Sequence, residues 1–385
     1  MKKRRIIYLL CYLAYSSIYM ARTNLTMANP SLVEAGILNT VQIGLLGGAF
    51  SAMFALGRLV NGILSDKAPP YAMISLGLVI CAVSNILVGF FPPFIGIFIL
   101  WSSNAYAQSM LWGSMISVMS DIYEERVAKK RTALLSTSVA TGNIVSILFC
   151  TWLITKFGTK YAFIIPGFIT LVLGVAVFFT MREVKPCASD KKHLSLFQLL
   201  AKRELQIIGI PSFIHGILKE NISLWMTVYV IDTYAIDLST SAYYLMLIPA
   251  FGFVGRVAHQ VFYRFCKENE HTVSLIGFAL CTLFALLLGI VKGTALSAIL
   301  CLTATYAAAS LINTSLLSVY PHRYRSEGNV SSVGGVIDFV TYLGAAMGSL
   351  VYGALIKNFG YNAMFISWAV LSVIGAAVIS KFIKK

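Results

Sequence analysis

The feature that most limits what this chain can become is the recurrence of runs of about 20 mostly apolar residues, the length that crosses a hydrocarbon core at helical rise. Twelve such runs are read. The first six lie at approximately Ile6 to Ala28, Val41 to Leu64, Tyr71 to Phe91, Phe94 to Ser120, Leu134 to Ile154 and Tyr161 to Thr180. The second six lie at Leu205 to Ile231, Ser241 to Phe265, Val273 to Val291, Ala295 to Val319, Val330 to Ile356 and Ala363 to Phe382. They predict an all-α membrane protein with twelve transmembrane helices. A content of 58% hydrophobic and only 12% charged residues, with a mean hydropathy of +0.80, excludes an ordinary soluble domain.

The formal charge of +15 suggests nucleic acid only if the basic residues share a folded surface. Here they sit in loops and alternate by side. One side carries Lys2 to Arg5, Lys67, Arg126, Lys129 to Arg131, the cluster from Arg182 to Arg203, Arg264, Lys267, Arg323, Arg325, Lys381, Lys384 and Lys385, while the opposite loops hold Lys156, Lys160, Lys292 and Lys357. Under the positive-inside rule both termini and the central loop are cytoplasmic, and no nucleic-acid partner is expected. The KKRR start imitates a signal peptide, but the apolar run is too long, lacks a small-residue cleavage site and carries Arg22, so an uncleaved first span is expected. Cys11, Cys81, Cys150, Cys281 and Cys301 fall within spans and Cys187 and Cys266 in cytoplasmic loops, which suggests neither disulfides nor a metal site. Nothing resembles a nucleotide-binding P-loop, so neither an enzyme nor a cofactor is expected.

The one shift in composition divides the chain into a six-helix half (residues 1–182), a linker (183–204) and a second six-helix half (205–385). The linker reads either as a short amphipathic helix on an anionic leaflet, through Lys191, Lys192, Lys202 and Arg203, or as a solvated tether. An offset of about 198 residues superposes Gly57-Arg58 on Gly255-Arg256 and, almost as closely, Arg22 on Lys219. Each half thus offers a cation from its first span and one from its second. Duplicated halves of this kind build transporters with a midplane site.

An arginine at membrane depth is tolerated when it faces protein or a wet cavity, so Arg22 and Arg58 are expected to line a path for an anion. Tyr8, Tyr12, Tyr15, Tyr19, Arg22, Thr26 and Asn29 share one face of the first span. Tyr8 and Tyr12 lie near the surface and read as packing, whereas Tyr15 and Tyr19 read as a binding wall. Lys219 shares its face with Ser212, His215 and Ser223. His215 is either a proton carrier or a hydrogen-bonded packing residue. Glu220, about 100° around the helix, is positioned to neutralise a cation on a neighbouring helix. Arg58 and Arg256 lie ~12–15 Å from the cytoplasmic ends of their helices, so snorkelling is the alternative to anion contact. Asp338 and Glu220 are the two carboxylates within predicted spans, and Asp338 is the natural partner of these cations. Asp66, at the cytoplasmic end of the second span, is expected to act in gating, with Arg126 and the positive end of a neighbouring helix.

Two motifs carry a family resemblance. The first is Tyr19, Arg22, Asn24, Ala28, Pro30 and Leu32; the second is Gly62, Ser65, Asp66 and Lys67, with further similarity at Asn104, Gln108, Trp112 and Tyr342-Leu343-Gly344. Over nearly its whole length the chain resembles the major facilitator superfamily, and within it the organophosphate:phosphate antiporters that carry glycerol-3-phosphate or hexose-6-phosphate. The resemblance implies the major facilitator fold, with two pseudo-symmetric halves. It implies a phosphate clamp at Arg22 and Lys219, which should face one central cavity, and places Tyr15, Tyr19, Arg58 and Tyr342 near the substrate. The sequence departs from that pattern in having a lysine for the second arginine, Thr141 or Gly142 near a position that is histidine in glycerol-3-phosphate carriers, Gly113 for a proline after Trp112, and the added charge of Asp338. The expectation is a monomeric plasma-membrane carrier that exchanges a small organic phosphate for inorganic phosphate by alternating access. Two alternatives stay open: a proton-coupled carrier of another organic anion, with Glu220, Asp338 or His215 as the coupling group, and an organophosphate receptor that does not transport.

Overall fold

A computed structural model describes residues 2–183, 194–236, 244, 246–290 and 293–383. Lys191, Lys192 and Cys187 of the expected linker, and the beginning of the eighth expected span at Ser241, lie outside the described residues. The chain divides into two compact units, Met1–Leu194 with His322–Val336, and Ser195–Pro321 with Ile337–Lys385.

In a bilayer every backbone polar group must be satisfied inside its own segment, and helices do this. In the first unit the helices are α1 (Lys2–Glu34), α2 (Thr40–Lys67), α3 (Pro70–Val88), α4 (Phe94–Ile122), α5 (Glu125–Leu135), α6 (Ser138–Phe157) and α7 (Tyr161–Met181). Their ends follow local chemistry. Asn39 and Gln42 form a reciprocal capping box at the start of α2, and the Pro69-Pro70 pair ends that helix and begins α3. α5 and α6 together make one span, interrupted at Ser136 and Thr137, and α5 carries the helix further toward the basic loop than the expected start at Leu134.

The second unit begins with the short α8 (Leu196–Ala201), capped by Ser195 and Gln198, with Leu199 buried and Phe197 exposed. There follow α9 (Arg203–Tyr234), α10 (Leu247–Phe265), α11 (Glu270–Ile290), α12 (Ala295–Asn313), a π-helical turn at Thr314–Val319, a 3-10 turn at Tyr320–Tyr324, and α13 (Val330–Ile383). Gly360, at φ 76°, breaks α13 into the last two expected spans. The opening turns of α13 belong to the first unit and the remainder to the second.

Seven of these helices, counting α5 with α6 as one, hold a stretch long and apolar enough to be recognised as a span among the described residues. Of the long helices, those that fall short are α1, α4, α9 and α10. They carry Arg22, the Asn104 and Gln108 amides, the Lys219 and Glu220 pair, and Arg256 with His259. Polar residues inside a span are expensive in lipid and persist where they face protein or a cavity.

The repeat read from the sequence reappears as repeated contacts inside each unit. The Cys81 thiol approaches the Asn104 carbonyl at 3.7 Å, and the Cys281 thiol approaches the Thr305 carbonyl at 3.7 Å. Gly77 lets α3 settle on the Ala107 carbonyl of α4, as Gly277 lets α11 settle on the Ala308 carbonyl of α12. Gly142 of α6 faces the Ser16 carbonyl of α1, and Gly344 of α13 faces the Phe213 carbonyl of α9. Helices approach this closely only where small residues stand at the crossing. The six described cysteines are free.

Candidate functional site

The backbone of α1 beside Arg22 is held by amide side chains. The Ala21 carbonyl accepts from Asn104 Nδ2 at 2.8 Å and Asn85 Nδ2 at 3.1 Å, with Gln108 Nε2 at 3.5 Å. Asn24 donates to Asn85 Oδ1 at 2.8 Å and to the Ala162 carbonyl at 3.0 Å. Asn24, Asn85, Asn104 and Gln108 are all essentially inaccessible. A buried polar network that is satisfied in this way fixes one geometry, and the next residue along α1 is the arginine.

Arg22 extends over α2, its Cζ 4.7 Å from the centre of the Phe50 ring and 5.1 Å from that of Phe54. Arg58 reaches the same Phe54 ring at 4.7 Å. Such contacts contribute ~0.5–2 kcal/mol each. Arg58 is 5% exposed, and its Nη2 donates to the Tyr15 hydroxyl at 2.8 Å, so it does not snorkel to the surface. Tyr15 in turn packs on Tyr19 (5.7 Å between centroids) and Trp112 (4.9 Å). The first unit thus gathers Arg22, Arg58, Tyr15 and Tyr19 in one aromatic-walled cluster. The sequence reading missed Phe50 and Phe54. Their signal was present, because Phe50, Phe54 and Arg58 recur at four-residue steps on α2.

In the second unit Lys219 donates to Glu220 Oε1 at 2.9 Å. The two side chains bend toward each other across the 100° between adjacent positions. Tyr306, Tyr342 and Arg256 lie within electrostatic reach of Lys219. His215 is fully buried, with Nε2 at 3.1 Å from the Asn313 amide and Nδ1 without a partner among the described residues. Asp338 is 4% exposed.

Asp66 is half-buried at the end of α2. Its Oδ1 accepts from the Ser331 N–H at 2.9 Å and its Oδ2 from the Ser332 N–H at 2.6 Å, so the carboxylate caps the first turn of α13. A carboxylate suits that position because the first N–H groups of a helix have no partner of their own and carry partial positive charge. Arg126 lies in the first turn of α5. Asp66→Ala is expected to speed hydrogen exchange of the amides of residues 331 and 332 by about tenfold, the worth of a lost cap. Unchanged protection would show that packing alone holds that turn.

Comparison with known proteins follows from this geometry. A family model described as Major Facilitator Superfamily matches residues 11–349. A membrane sensor protein, UhpC, of Salmonella typhimurium is 23% identical over 275 residues, covering 66% of this chain and 62% of that protein, so the chain spans less than two thirds of that relative's length. A phosphoglycerate transporter protein, also of Salmonella typhimurium, is 22% identical over 392 residues, covering 92% of this chain and 83% of that protein. Among solved structures, the transporter FucP in its outward conformation superposes with a TM-score of 0.81 at 16% identity, covering 98% of this chain and 99% of that one.

Proposed function

The chain belongs to the Major Facilitator Superfamily, and on that premise we propose that it is a secondary active transporter of a small organic phosphate, exchanging it for inorganic phosphate by alternating access. The observation that carries this reading is the pair of guanidiniums, Arg22 and Arg58, seated over one phenylalanine ring in helices otherwise made for lipid. Relatives whose names include phosphoglycerate and glycerol-3-phosphate transporters support the substrate class. Arg22 and Lys219, at matching positions of the two repeats, are the proposed phosphate-binding cations, with Tyr15, Tyr19, Arg58 and Tyr342 around the substrate. The loop charges support cytoplasmic termini in a plasma membrane.

The mechanism follows from desolvation. Closing a cavity over cations removes their hydration at a cost, and a bound phosphate offsets it with opposite charge. Loaded carriers therefore switch readily and empty ones slowly, which yields exchange. Asp66, capping the first turn of α13, is proposed to release and re-form that cap as the carrier cycles.

The Lys219 and Glu220 pair favours one second reading. A carboxylate that neutralises Lys219 in the empty carrier lowers the penalty for closing, and its protonation on loading couples transport to protons. The experiment that separates the readings is uptake of labelled inorganic phosphate into proteoliposomes, empty or preloaded with phosphate or sugar phosphates. Uptake confined to preloaded vesicles supports exchange. Uptake into empty vesicles driven by a pH gradient supports proton coupling, and binding without flux supports a receptor.

A further inference from the structure

The linker between the two halves ends in α8, for which the sequence leaves two roles open, a helix on an anionic leaflet or part of a solvated tether. Its six residues present two faces. Leu199 is fully buried, whereas Phe197, 83% exposed, and Leu200, 44% exposed, stand three residues apart on the other face. The reciprocal cap of Ser195 and Gln198 satisfies donors of the opening turn from within the chain.

The next helix indicates what the outer face of α8 meets. α9 has 32 residues, about 48 Å at helical rise, so it is longer than a hydrocarbon core of ~30 Å and its first turns stand in the interface. Arg203, Gln206 and Ile210 follow at three- and four-residue steps along one exposed face of α9, and Ile210, 46% exposed, is an apolar residue turned to lipid. Gln206 Nε2 donates to the Leu200 carbonyl at 2.9 Å, which seats the end of α8 beside the polar top of that row. Lys202, half-buried, and Arg203, exposed, form the junction of the two helices. Glu204, the carboxylate next to them, accepts from the Tyr320 hydroxyl at 3.0 Å and is engaged with the protein.

An outward phenylalanine and leucine beside two cations, at the level where a span leaves the hydrocarbon, match one environment. Apolar groups enter the acyl boundary, and cations meet the negative leaflet surface. We infer that α8, with Lys202 and Arg203, is a docking surface for the anionic phospholipids of the cytoplasmic leaflet: Phe197 and Leu200 enter the headgroup boundary and the two cations hold lipid phosphate.

The test places the full chain in lipid nanodiscs, which leave both faces open to a soluble quencher. An environment-sensitive fluorophore is attached at Ala201→Cys, an exposed position four residues after Phe197 on the same face. Cys187, Cys266 and Cys301 are replaced by serine, which leaves the buried thiols of Cys11, Cys81, Cys150 and Cys281. In discs of phosphatidylcholine with about one third phosphatidylglycerol, the label is expected to be quenched by lipid brominated near the headgroup and shielded from acrylamide. Each basic residue near an anionic surface is worth about fivefold in attachment, so the double variant Lys202→Gln, Arg203→Gln should shift the balance toward the acrylamide-accessible state by about tenfold or more. Discs of phosphatidylcholine alone should do the same. A label that acrylamide reaches equally in both kinds of disc overturns the inference, and so does one that lipid shields equally in both, or as fully in the double variant. Shielding that appears only when soluble protein is added assigns the face to a protein partner and overturns it as well. The comparison of the two lipids uses the unmutated junction and decides even where the double variant yields no folded protein.

Discussion

Arg22→Ala is expected to reduce phosphate exchange by about 100-fold or more, because truncating one partner of a desolvated, charge-assisted pair costs ~3–5 kcal/mol. The loss should not be a loss of fold. The Ala21 carbonyl stays held by Asn85 and Asn104, which fix the α1 backbone without the arginine side chain. Arg22→Lys should keep a small fraction of the activity, since the charge remains while bidentate geometry and ring stacking go. The measurement is initial uptake per unit of reconstituted protein, alongside a thermal melt in detergent. Exchange in Arg22→Ala within a few-fold of wild type would remove this residue from the substrate site, and the clamp with it.

Gly216→Leu is expected to prevent accumulation of folded protein. A Cβ at Gly216 would lie 1.8 Å from the Thr341 carbonyl oxygen and 2.7 Å from its carbonyl carbon, both backbone atoms of α13 that no rotamer change can move. Relief requires α9 and α13 to separate, which opens the adjoining contact of Gly344 with the Phe213 carbonyl and that of Gly348 with the Asn221 amide. Overpacking that a core cannot absorb costs several kcal/mol, comparable to the whole stability of many domains. Gly47→Ala serves as the control: it is also within a helix, but nothing lies within 4 Å of the added methyl, and relief from glycine's entropy favours the variant by ~0.5–1 kcal/mol. Monodisperse yield and melting temperature in detergent read both. A Gly216→Leu protein that melts with wild type would mean that the α9 and α13 crossing yields without penalty.

The fold was legible in the sequence because lipid leaves the backbone few choices, so span length, loop charge and the Gly57 and Gly255 repeat sufficed. Boundaries were less legible. The extension of α5 toward Glu125 is amphipathic and basic, and no apolar run announces it. Within the site, Arg22, Arg58 and Tyr15 stood out as polar residues in apolar helices, but Phe50 and Phe54 did not, since a phenylalanine in a membrane span needs no explanation. The pairing of Lys219 with Glu220 was also hidden. Neighbouring positions on a helix point apart, and only the flexibility of two long side chains brings them together. The cap of Asp66 on α13 joins residues 265 apart in the chain, a separation that local pattern cannot bridge.

The contacts repeated in the two units show what sets the spacing of their helices. Cys81 and Cys281 each approach a carbonyl, which belongs to asparagine in one unit and to threonine in the other. Gly142 and Gly344 each face a carbonyl, one belonging to serine and the other to phenylalanine. Such a spacing depends on what is missing from the glycine and not on what its partner carries, so the two units can share main-chain distances while the side chains around them differ.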